Sequence, residues 1–209
     1  MTTPGRPRAK RPAAETRERI LEAAQELFYW HGIRATGVDE VAAQAGVAPT
    51  TLYRVFASKD DLVAAYVERN DRGYRAWFDE AAGGDDRDPR ERILSVFDAL
   101  RDQTRPESCR GCPFVMALTE FPDPELAQNR GAVALKAWVR GRFGELAREL
   151  GADDPELLAD QLTLAMEGVY ASVQALGHGG PARSARALAE ALMVSSPPDP
   201  ARPSPTPSC

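Results

Sequence analysis

No stretch of this 209-residue chain alternates apolar and polar side chains as a half-buried strand requires; apolar residues recur at intervals of three and four instead. That property restricts the fold to packed helices, because an amphipathic helix with no sheet to lie on must bury its stripe against other helices. From Glu15 to His31, Ile20, Ala24, Leu27 and Phe28 fall on one face, and Gly32 ends the run. Val38 to Ala45 reads as a second, short helix entered at Thr36 and Gly37 and left at Gly46; Pro49 opens a third that runs to about Phe56. Ser58, Lys59, Asp60 and Asp61 start a fourth, which continues through Leu62, Tyr66, Tyr74 and Trp77 to the break at AAGGDDRDP. Asp88-Pro89, Asp123-Pro124 and Asp154-Pro155 each set a capping residue before a proline, and Gly151 and Gly177 follow helical runs. The expectation is an all-α chain of about nine helices.

Charge divides the chain unevenly. The total is −5, but residues 1–59 carry +3 and the remainder −8, with Arg6, Arg8, Lys10 and Arg11 gathered ahead of the first helix. A basic end on an acidic protein suits a polyanionic partner, and a merely solvated tail fits the same charges. The N-terminus lacks the apolar core of an export signal and no run of about 18 apolar residues exists, so a cytoplasmic protein without membrane contact is expected.

The second and third helices, joined by Ala45-Gly46-Val47, have the dimensions of a helix-turn-helix. Val38, Val41, Ala42, Val47, Leu52 and Phe56 can pack on Ile20, Leu27 and Phe28, which turns Pro49, Thr50, Tyr53 and Arg54 outward. Such residues at the start of a helix laid in the major groove read bases and hold phosphates: Arg forks onto guanine, and Thr bonds to base edges or packs on the thymine methyl. Each has a plainer reading too: Thr50 as helix surface, Arg54 as a surface ion pair, Tyr53 as an amphipathic ring half in the core.

Residues 14 to 74, containing TRERILEAAQELFYWHGIRATGVDEVAAQAGVAPTTLYRVFASKDDL, resemble the N-terminal domain of the TetR family of bacterial transcriptional regulators. Ile20, Ala23, Ala24, Leu27, Phe28, Gly32, Thr36, Val41, Ala42, Ala45, Gly46, Val47, Leu52, Tyr53, Phe56 and Lys59 carry the likeness in register. The resemblance implies that Thr36 caps the second helix and touches a phosphate, that Thr50, Tyr53 and Arg54 face the groove with Gly37, Pro49 and Thr51 beside them, and that Lys59 anchors a phosphate. Two positions depart from the pattern: Ala48 stands where Ser or Thr is frequent, and Val55 where His is frequent. The implied organisation is a basic arm at 1–13, a DNA-binding domain at 14–74 with its helix-turn-helix at 37–56, a ligand-binding and dimerisation domain at 75–194, and a Pro-rich tail at 195–209. The implied partners are double-stranded operator DNA, a small-molecule effector and a second copy of the chain.

In the larger half, Ala165, Gly168, Ala171, Ser172 and Ala175 would admit a close helix, and Ala185, Leu188, Ala189 and Leu192 form a stripe on the last helix. These two helices are expected to meet their symmetry mates, with packing inside one copy as the rival. Phe97, Phe114, Met116, Phe121, Trp138, Met166 and Tyr170 are candidate pocket lining, although any of them could be core. Cys109 and Cys112 frame a turn before Pro113, where a helix start and Arg110 would favour a thiolate. A thiol or redox response is therefore open, against the reading of a turn whose thiols simply pack inside. With His31 and His178 remote in sequence, a single CxxC is short of ligands for a metal, so neither metal nor cofactor is expected. An enzyme using Cys112, or Glu120 and Glu167, lacks any supporting catalytic signature.

Overall fold

A computed structural model of the chain describes residues 13–105, 107 and 109–195. Arg6, Arg8, Lys10 and Arg11 lie outside the described residues, as do Cys209 and the rest of the tail from 196. The described residues form nine α-helices and no strand: α1 (Ala13–His31), α2 (Val38–Gln44), α3 (Pro49–Val55), α4 (Lys59–Ala82), α5 (Pro89–Gln103), α6 (Pro113–Glu120), α7 (Ala127–Leu150), α8 (Pro155–Leu176) and α9 (Ala185–Ser195), with a 3₁₀ turn at Pro181–Ser184. They divide into two compact units, one up to Tyr66 and one from Val67, so the division falls within α4.

In the first unit, α1 buries Ile20, Leu21, Ala24, Leu27 and Phe28 against Val41, Ala42, Leu52 and Phe56. Tyr66 meets Phe28 edge-on with ring centres 5.4 Å apart. The turn between α2 and α3 closes through two backbone bonds, Gly46 N to Ala43 O (3.0 Å) and Val47 N to Ala42 O (3.0 Å), the paired pattern of a helix ending in a left-handed residue. Gly46 takes φ 63, and a Cβ there would stand 2.9 Å from Arg19 Nη2. Arg19 also donates to Ala45 O, setting a cation on the carboxyl end of α2.

The second unit packs α7 on α8, with α5, α6 and α9 around them. Its centre is aromatic: Phe97 stacks on Phe143 at 5.9 Å, and Phe78 meets Phe143 edge-on at 5.3 Å and Trp138 at 5.5 Å. Arg92 is almost wholly buried, yet its guanidinium reaches Asp85 (2.9 Å) and Glu149 (2.5 Å), joining the loop before α5 to α7.

Asp88 and Asp154 cap α5 and α8 as their sequences suggest. The Asp88 carboxylate accepts from Arg90 N at 2.8 Å and Glu91 N at 3.3 Å, and Asp154 accepts from Leu157 N at 2.9 Å. Asp88→Ala should cost about 1 kcal/mol, visible as a fall of a few degrees in the thermal melt. Asp123-Pro124 corrects its expectation. Asp123 Oδ1 takes Glu125 N (2.9 Å) and its carbonyl takes Leu126 N (3.2 Å), forming a turn, and α7 starts only at Ala127 with Leu126 at its cap.

Candidate nucleic-acid interface

α3 is a seven-residue helix held by one side. Leu52 and the following Phe56 are buried, and Arg17 lies over the Phe56 ring with its guanidinium carbon 5.1 Å from the centroid. The opposite side carries Pro49, Thr50 and Arg54, all exposed, and Tyr53, which leaves 49% of its surface in solvent. Thr51 is half-buried at the edge, and Gly37 is exposed at the cap of α2. The structure thus brings Thr50, Tyr53 and Arg54 onto one exposed side of the helix, with Thr50 in its first turn and Arg54 in its last.

Ala48 caps α3 with extended backbone and no side-chain bond. Pro49 at the first position removes one unpaired N–H, and Ala48 O accepts from Thr51 N at 2.8 Å. Ala48→Ser would supply the missing acceptor. It should tighten DNA binding by up to about 1 kcal/mol, a factor of about five, in a titration of the two proteins against one duplex. No gain would mean that Pro49 and the buried Leu52 already fix the helix.

Two expected phosphate groups are differently engaged. Thr36 is 1% exposed, and its hydroxyl donates back to Gly32 O at 2.8 Å instead of capping α2; Gly37 is the cap and makes no side-chain bond. A buried hydroxyl needs a partner, and the carbonyls of Gly32 and, at 3.4 Å, Leu27 are within its reach, which corrects the expectation of a cap and an outward phosphate contact. Lys59 starts α4 with its ammonium on Thr36 O (2.7 Å) and Arg34 O (3.2 Å). It braces the loop before α2, and an ammonium with three donors still has one to offer an anion. Ser58 caps α4: its hydroxyl accepts from Asp61 N (3.0 Å) and donates to the Asp61 carboxylate (2.8 Å).

Of the candidate pocket residues, Phe97, Phe114, Phe121, Met166 and Tyr170 are buried, and Met116 and Trp138 are half-buried. Phe97 and Phe114 fill core, against Phe143 and Tyr74. Tyr170 donates to Gln103 Oε1 at 2.8 Å, and Tyr74 reaches Met166 Sδ at 3.3 Å. Burial pushes both phenols up, so they stay neutral.

Outside that core, α8, α9 and the 3₁₀ turn border an apolar groove of about 570 Å³. Ala165, Gly168, Ser172, Ala185, Leu188 and Leu192 line it as the small-residue pattern suggests, with Leu164 beside them at 71% exposure. Ala189 corrects its expectation: it is fully buried inside the copy, where α9 packs on α5 and α8. Sequence reading missed Leu164, an isolated apolar residue whose direction depends on how α8 packs.

Cys109 and Cys112 are both buried, and Cys112 caps α6. Lys136, which sequence reading also missed, lies against Cys112, and Glu167 is ion-paired to it. Among the described residues, no cluster of three or more His, Cys, Asp or Glu could hold a metal, and no helix is long and apolar enough to cross a membrane.

The sequence profile described as "Bacterial regulatory proteins, tetR family" matches residues 20–66. SCO4454, a TetR-family transcriptional regulator of Streptomyces coelicolor, is similar over its solved structure: 31% identity, 88% of this chain and 96% of that one, TM-score 0.82. The transcriptional repressor BepR of Brucella suis is 28% identical over 175 residues, covering 78% of this chain and 82% of its own. The transcriptional activator FasR of Mycolicibacterium smegmatis is 29% identical over 142 residues, covering 68% and 64%.

Proposed function

The chain belongs to the TetR family of transcriptional regulators, and from that premise we propose that this DNA-binding regulator is a homodimeric, ligand-responsive repressor of a near-palindromic operator. The observation that carries the reading is the outward face of α3, where Thr50, Tyr53 and Arg54 stand exposed while Leu52 and Phe56 hold the helix down. One such face reads only a few base pairs, so a useful site requires two. A two-fold dimer would present the second α3 one helical turn away, about 34–36 Å, in the next major groove.

The α8–α9 groove supports the choice of a second copy as its occupant. It is apolar, it continues through Leu164 and Leu188, and its small residues allow a symmetry-related helix to approach. The effector would enter the larger helical unit among its aromatic side chains and shift the population between DNA-competent and released forms. Gln103 and the neutral phenols of Tyr74 and Tyr170 offer it hydrogen bonds amid apolar surface.

A reporter placed behind a selected operator tests the direction of control. Deletion of the regulator should raise expression, as the name of the Brucella relative suggests for that protein. A fall would instead ally this chain with the Mycolicibacterium relative, which is named an activator.

A further inference from the structure

Where α6 begins, the chain assembles a group of polar side chains that DNA binding does not use. Lys136 Nζ lies 3.1 Å from Cys112 Sγ and 2.5 Å from Glu167 Oε1, so one ammonium bridges a sulfur and a carboxylate. Burial alone would push the Lys136 ammonium down, but the Cys112 sulfur and the Glu167 carboxylate facing it raise it, and the cation is retained. The neighbouring phenols of Tyr74 and Tyr170 are neutral and do not compete for it.

A second buried thiol, Cys109, precedes Cys112 by three residues, across a Gly111 with φ 139. Access is narrow. Cys112 is 4% exposed, while the side chains of Lys136 and Glu167 keep 20% and 29% of their surface in solvent.

We infer that Cys112 is a peroxide-reactive thiol, held beside the Lys136 ammonium, and that Cys109 resolves it to an intramolecular Cys109–Cys112 disulfide. Hydrogen peroxide is the oxidant. The Cys112 sulfur attacks one peroxide oxygen, the O–O bond breaks, and Cys112 becomes a sulfenic acid while the other oxygen leaves with the thiol proton as water. The Cys109 sulfur then attacks the Cys112 sulfur; the S–S bond forms, the S–O bond breaks, and the hydroxyl leaves with the Cys109 proton as a second water. Two thiols have given up two electrons, and one peroxide has become two waters. Glu167 is a positioning residue, acting through Lys136. The inference stands apart from the DNA reading, because the chemistry is local to the second unit.

The test uses full-length protein carrying Cys209→Ser, so that no third thiol intervenes. Brief exposure to a slight excess of hydrogen peroxide should give the linked Cys109–Cys112 peptide in a non-reducing digest. With Cys109→Ser added, Cys112 should instead gain a single oxygen atom, read as the mass of its peptide after brief oxidation. Lys136→Met removes the cation 3.1 Å from the attacking sulfur and should slow oxidation roughly tenfold or more, and Lys136→Arg, which keeps the cation, should restore most of it. Equal rates in Lys136→Met with an unchanged melt would overturn the inference. So would a Cys112 that reacts no faster in the folded chain than in urea, a comparison that still decides if Lys136→Met fails to fold.

Discussion

Raising salt from about 50 to about 200 mM should weaken operator binding by roughly a thousandfold. The size follows from charge. Residues 1–59 hold nine Lys and Arg against six Asp and Glu, an excess of +3 in a chain whose total is −5, and those cations include Arg54 and Lys59 at the DNA-binding unit and the four of the arm. If each copy neutralises about three phosphates, a dimer displaces about six counterions, and the logarithmic slope against salt lies near −5. Removing residues 1–12, which carry Arg6, Arg8, Lys10 and Arg11, should flatten the slope while leaving base preference in place. Titrations of one duplex at four salt concentrations measure it. A flat line would contradict phosphate contacts by the basic end.

Leu164→Glu should convert the proposed dimer to a monomer at micromolar concentration and lower operator affinity about a hundredfold or more. Leu164 is 71% exposed in the isolated copy, so a carboxylate there is solvated and the fold of the monomer is untouched. In an isologous dimer the same substitution appears twice near the two-fold axis, and each carboxylate must lose water without gaining a partner, at several kcal/mol apiece. The dispersion contacts the leucines lose add to that cost. The loss on DNA is larger than any one contact explains, because the second reading helix no longer binds as part of the same molecule. Sedimentation velocity and a duplex titration check the two halves of the prediction. A stable dimer with intact operator affinity would place the interface elsewhere.

Local chemistry was legible in the sequence, and packing choices were not. Asp88 and Asp154 could be read as caps because the acceptor, the proline and the waiting N–H groups lie within three residues. The same Asp-Pro pair at 123 makes a turn, since an aspartate that bonds two residues ahead serves either structure. Thr36 failed for a related reason: whether its hydroxyl caps forward or bonds back to Gly32 is decided by burial, which the local sequence does not encode. On α9 the apolar stripe was visible, but which edge faces α5 and which faces outward depends on the rotation of the helix, and Ala189 proved to lie inside. Lys136 and Cys112 are 24 residues apart, and Arg92 and Glu149 are 57 apart; no spacing rule connects them, because α6, α7 and the fold itself bring them together. The reading face of α3 sits between these cases. Its outward residues follow from helical phase once Leu52 and Phe56 are taken as buried, and the structure places them so.

The claim that α3 reads sequence is tested most directly by selecting bound fragments from genomic DNA with the native chain and with Arg54→Ala in parallel. The native chain should enrich a near-palindrome whose half-site centres lie about 10–10.5 base pairs apart, or a multiple of that. Arg54→Ala should bind the same site about 1–3 kcal/mol more weakly and lose preference at one symmetry-related pair of positions. Enrichment of no sequence, or an identical site bound with identical affinity by Arg54→Ala, would contradict it.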